Sequence, residues 1–187
     1  DLNFLNTVTK AADLKAKVDA LADNSGIPSS FDGKTFVLTT SVDAGKDFTG
    51  TNKDDQFIAD NSVTAKSSAA DTLDGGKGDK DTFKLYDNAD PAAGAADTTI
   101  KAGLLPTLKN IENVVLYNNI GTTTDLREWD TVETLFLVNS VATTTTLGGK
   151  VTTVNLENNT KVQTLIFDPA LTAATLGVND VTGTTVT

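Results

Sequence analysis

Apolar residues change their spacing along this chain, and each change predicts a different element. Over residues 9–22, Ala12, Leu14, Val18 and Leu21 fall near helical spacing, with Lys15, Lys17 and Asp19 between them. Thr9 is placed to cap that helix, and Asn24-Ser25-Gly26 followed by Pro28 to stop it. The pattern predicts a short N-terminal helical segment, residues 1–27, as the end of an upstream helical region or a cap. An isolated helix of this length is marginal in water and must dock on something. From residue 28 to 187 the pattern is that of short β segments, beginning with the alternation around Phe36 and Leu38.

After residue 100 the pattern becomes periodic. Residues 111–118, 132–139, 151–158 and 162–169 each carry apolar residues at relative positions 1, 4 and 6. These are Ile111, Val114 and Leu116; Val132, Leu135 and Leu137; Val151, Val154 and Leu156; Val162, Leu165 and Phe167. Asn118, Asn139 and Asn158 close the first three copies, and Pro169 stands at that place in the fourth. The starts at Ile111, Val132 and Val151 are almost evenly spaced, whereas Val162 follows after about half that interval. One short strand per copy at a spacing near 20 residues predicts a mainly β chain folded as a parallel β-solenoid, or β-helix-like, domain. The short last interval fits half a coil, so that two strands belong to one turn of the solenoid. Residues 143–147 and 172–176 then supply other faces. An evenly spaced β-sandwich is the competing architecture.

Composition agrees with many tight turns and strands. There are 32 Thr, and the acidic residues are 21 Asp against 4 Glu. Asp favours turns and is a compact oxygen ligand, whereas Glu favours helices. Cys and His are absent, which removes disulfides, zinc and haem sites, thiol nucleophiles and histidine bases. A net charge of −10 excludes nucleic-acid binding through a basic surface. No apolar run approaches the roughly 20 residues of a membrane-spanning helix. The chain lacks Met, even at position 1, as expected of a processed product or a piece of a longer protein. No catalytic group is evident, and the reading is of a protein that is not an enzyme.

The acidic residues concentrate in residues 43–97, which hold 12 Asp, no Glu and no Arg. Two stretches there share an order: Gly, then closely spaced Asp, then a polar residue, then Phe. One runs from Gly50 through Asp54 and Asp55 to Phe57. The other runs from Asp74, Gly75, Gly76 and Gly78 through Asp79 and Asp81 to Phe83. Glycines let a loop curl so that carbonyls converge, and short Asp side chains complete an oxygen cage for a hard cation. Two carboxylates about 4 Å apart repel by roughly 4 kcal/mol at an effective dielectric near 20, and calcium reverses that sign. The candidate calcium ligands are therefore Asp54, Asp55, Asp74, Gly76, Gly78, Asp79 and Asp81. Binding of calcium would be coupled to folding. The competing reading gives these Asp residues turn and capping duty alone.

The second stretch resembles the nonapeptide of calcium-binding β-roll (RTX) proteins, Gly-Gly-x-Gly-x-Asp-x-apolar-x. Lys53 stands where such turns usually have Gly, Lys80 stands where the nonapeptide has Asp, and Asp81 arrives one position later. The longer run from Phe36-Val37-Leu38 through Asp47-Phe48-Thr49-Gly50, Asp54-Asp55-Gln56-Phe57 and Asp71-Thr72-Leu73-Asp74 to Ile111-Glu112-Asn113-Val114 is similar to surface-layer (S-layer) proteins of Gram-negative bacteria. That resemblance covers about residues 31–118. It implies a type I-secreted structural subunit on the cell exterior that assembles with copies of itself into a calcium-dependent two-dimensional lattice. It also implies attachment to lipopolysaccharide or the cell envelope through upstream regions. An RTX-type adhesin, as extender or ligand-binding segment, is the alternative. The Thr runs 122–124, 143–146 and 152–153 show no common register in the sequence, which counts against a Thr-laddered binding face. A polysaccharide lyase on a β-helix is the third option. Arg127 and Trp129 would mark its sugar site, against a surface ion pair beside a packed Trp.

Overall fold

The computed structural model describes residues 32–61, 64–87, 105–117, 123–140, 144–181 and 183–187. The chain divides into two compact units, Asp1–Ser30 and Phe31–Thr187, and the strands belong to the second. The helical segment expected at 1–27 lies outside the described residues.

Among the described residues, thirteen short strands succeed one another: β1 (Thr35–Val37), β2 (Gln56–Asp60), β3 (Thr72–Asp74), β4 (Thr82–Tyr86), β5 (Thr107–Lys109), β6 (Asn113–Tyr117), β7 (Thr123–Asp125), β8 (Thr134–Val138), β9 (Thr144–Thr146), β10 (Thr153–Asn159), β11 (Gln163–Ile166), β12 (Thr175–Val181) and β13 (Thr184–Val186). Every pairing between these strands is parallel. A seven-stranded sheet runs β1-β2-β4-β6-β8-β10-β12. The intervening strands form a second wall in two pieces, β3-β5 and β7-β9-β11-β13. From β2 onward each turn of chain thus lays one strand on each wall and returns beside itself, which is the predicted β-solenoid.

The apolar repeat is the stacking pattern itself. Phe36, Phe57, Phe83, Val114, Leu135, Val154 and Leu176 share one register column. Ala59, Leu85, Leu116, Leu137, Leu156 and Val178 form a second column two positions on. Strands lie about 4.8 Å apart, so like side chains meet like, and the Phe36 and Phe57 rings stack at 4.6 Å and 8°. Phe57, Phe83, Val114, Leu135 and Val154 are fully buried. Burying such a side chain stabilises by about 1.5–3 kcal/mol. The fourth copy of the repeat lies on the other wall, where Leu165 of β11 is buried, so the short last interval is half a coil. Residues 172–176 behave differently from expectation: Thr175 and Leu176 open β12 in the long sheet and supply no further face.

The closing Asn residues have a conformational reason. Asn139, Asn158 and Asp180 share a register position, directly after β8 and next to last in β10 and β12, and take φ of 53°, 53° and 51°. This is the left-handed region, in which Asn and Asp are the best tolerated residues after Gly. They bend the backbone at the same place near the ends of successive strands of the long sheet.

The second wall corrects the reading of the threonines. Thr123, Thr144, Thr164 and Thr185 stand in one register column, and Thr124 and Thr145 stack with Leu165 in the next. Thr124 and Thr145 are buried, whereas Thr123 and Thr185 are exposed. Trp129 is 2 % exposed. Its Nε1 donates to the Pro106 carbonyl at 2.8 Å, and its ring meets Phe83 edge-on at 6.1 Å. Its faces are therefore committed to packing, while Arg127 pairs with Asp125 at 2.5 Å on the surface.

Candidate functional site

The candidate ligands sort themselves by the corner where the chain enters the long sheet. The residue preceding β2 is Asp55, that preceding β4 is Asp81, and Glu112 and Glu133 hold the same place before β6 and β8. Four carboxylates thus occupy one register column over four successive coils. The first three are joined by backbone donors. The Asp55 N–H donates to Asp81 Oδ1 at 2.6 Å, and the Asp81 N–H donates to Glu112 Oε2 at 2.9 Å. The Lys34 N–H donates to Asp55 Oδ1. Each of these carboxylates therefore caps an N–H of the coil before it, at a bend where that donor would otherwise be unsatisfied.

Asp55 and Asp81 differ in what remains. Asp55 Oδ2 accepts from the Thr51 N–H at 2.5 Å and the Thr51 hydroxyl at 3.0 Å, so both of its oxygens are engaged. Asp81 is fully buried, its Oδ1 accepts from Asp55, and its Oδ2 has no hydrogen-bond partner. The glycines of the motif stand against that oxygen. A Cβ at Gly75 would lie 2.5 Å from Asp81 Oδ2, and one at Gly78 would lie 2.9 Å from it and 2.4 Å from the Lys53 carbonyl. The glycines thus let backbone pack directly against an unpaired buried carboxylate oxygen. Burial, with the charges of Glu112, Asp55 and Asp54 adding to it and the Asp55 N–H opposing it, pushes the Asp81 carboxyl up to about 7. Burial also raises Glu112, with Glu133 and Asp79 adding to it and the Asp81 N–H opposing it.

The other predicted ligands are placed as follows. Asp54 is half-buried beside Asp55, and its N–H donates to Asp32 Oδ1 at 3.2 Å. Asp74 ends β3 and spends Oδ1 on the Gly76 N–H at 3.0 Å and Asn110 Nδ2 at 2.8 Å. Gly76 has φ of +94°, so the turn requires glycine there. Asp79 is exposed. Lys53 keeps a negative φ and its Nζ reaches Asp32, so the turn does without a left-handed residue at that position. The fold therefore gathers Asp55, Asp81 and Gly78, and engages Asp74 and Gly76 in their own turn. Among the described residues, no group of three or more Asp or Glu converges as a ready-made metal cage.

Sequence reasoning missed three participants. Glu112 lies outside any Gly-rich stretch, and register alone brings it to Asp81. Asp43 and Asp71, both buried, form a second such corner. There the Asp43 N–H donates to Asp71 Oδ1 at 2.9 Å, the Ser68 N–H to Asp71 Oδ2 at 2.7 Å, and the Thr39 N–H to Asp43 Oδ2 at 2.7 Å. The signal was present in Asp71-Thr72-Leu73 and Asp81-Thr82-Phe83: Asp, Thr, then an apolar residue, each at the mouth of a strand. A scan against protein-family models, a search of curated proteins and a search of solved structures each return no match.

Proposed function

We propose that this chain is a structural segment of a calcium-stabilised bacterial surface layer, acting outside the cell by packing against copies of itself. The observation that carries the reading is Asp81 Oδ2, a buried carboxylate oxygen without a partner, packed against Gly75 and Gly78 and in a column with three other carboxylates. An oxygen in that state costs stability when ionised, and a hard cation is the partner that removes the cost. Asp81 would hold the ion through Oδ2, beside the Gly75 and Gly78 backbone. Calcium would supply the positive charge that lets Asp55, Asp81 and Glu112 lie in successive coils at neutral pH. The net charge of −10 acts in the same direction, because like-charged copies repel until bridged or screened.

The test is a circular-dichroism melt in chelator, then across a calcium titration, with magnesium as the control. A calcium-specific rise in Tm that Asp81→Asn abolishes supports the site, and a melt indifferent to calcium removes it. Electron microscopy of the same samples then reads lattice formation. A second reading, an extender or ligand-binding segment of a secreted RTX-type adhesin, is favoured by the in-register column Thr123, Thr144, Thr164 and Thr185. Calcium-stabilised protein that stays monomeric at high concentration would favour it over the lattice.

A further inference from the structure

We draw no further inference here: the strongest candidate, the outward face of the long sheet around Val115, Phe136 and Val138, is buried, but nothing among the described residues shows what covers it.

Discussion

Replacing Asp81 with Asn tests the reasoning about the corner column at its most exposed point. Asn keeps an oxygen to accept the Asp55 N–H and removes the charge that burial disfavours. The sign follows from proton linkage. The folded-state pKa of about 7 lies above the ordinary 3.8, so between those values the folded chain holds a proton that the unfolded chain has released. In chelator the wild type therefore loses stability through this group as pH rises from 4 to 7, and the loss is complete above that window. Three pKa units correspond to about 4 kcal/mol, which is the upper bound on the effect. The new amide donor must find an acceptor, which reduces the gain to about 1–3 kcal/mol at pH 8. The assay is urea unfolding of both proteins in EGTA from pH 4 to pH 8. The Asp81→Asn variant is expected to lie about 1–3 kcal/mol below the wild type near pH 4, to gain on it as pH rises to 7, and to hold its advantage level from there to pH 8. A stability difference that is flat with pH, or that favours the wild type at pH 8 in chelator, refutes the account. Adding calcium at pH 8 should then stabilise the wild type and leave the variant unmoved.

Substitutions at four other positions probe the solenoid. Thr145 is buried with Oγ1 unpaired, so Thr145→Val should raise stability by about 1 kcal/mol in a urea melt. Gly75→Ala would drive a Cβ to 1.9 Å from the Asn110 carbonyl, where backbone must move, and should cost about 1–3 kcal/mol or prevent folding. The control is Gly45→Ala, which meets nothing within 4 Å and should cost about 1 kcal/mol through its positive φ alone. Asn158→Ala should cost about 1 kcal/mol and Asn158→Gly close to nothing, if left-handed backbone is what the corner selects.

The later coils are the more legible part of this sequence, for a geometric reason. Asn113 pairs with Thr134 and Thr134 with Thr153, a nearly constant interval, so Val114, Leu135 and Val154 recur visibly. In the earlier coils Gln56 pairs with Thr82 and Thr82 with Asn113, and these longer, unequal loops hide the same stacking. The second wall is built of very short strands such as Thr144–Thr146, which cannot show a period of their own. Its Thr column was nonetheless encoded, since Thr123, Thr144, Thr164 and Thr185 recur at almost equal intervals. The signal is the interval, and runs such as 143–146 obscure it by offering several threonines for each place. At the site, the motif located Asp55 and Asp81 but not their division of labour. Which oxygen is left over depends on Thr51 and on the neighbouring coil, and neither is adjacent to Asp81 in sequence.

The corner hydrogen bonds also have a direction. In five of them the donor N–H belongs to the earlier coil and the accepting side chain to the later: Lys34 to Asp55, Asp55 to Asp81, Asp81 to Glu112, Asp43 to Asp71, and Ser140 to Asn159, whereas Asp54 to Asp32 runs the other way. The two ends of the stack are therefore inequivalent as templates. A coil added on the N-terminal side meets acceptors already fixed in place, whereas one added on the C-terminal side must bring its own acceptors and fit them to donors that are waiting. For these five bonds, the edge left open on the N-terminal side is thus one of side-chain acceptors, and that on the C-terminal side one of backbone donors.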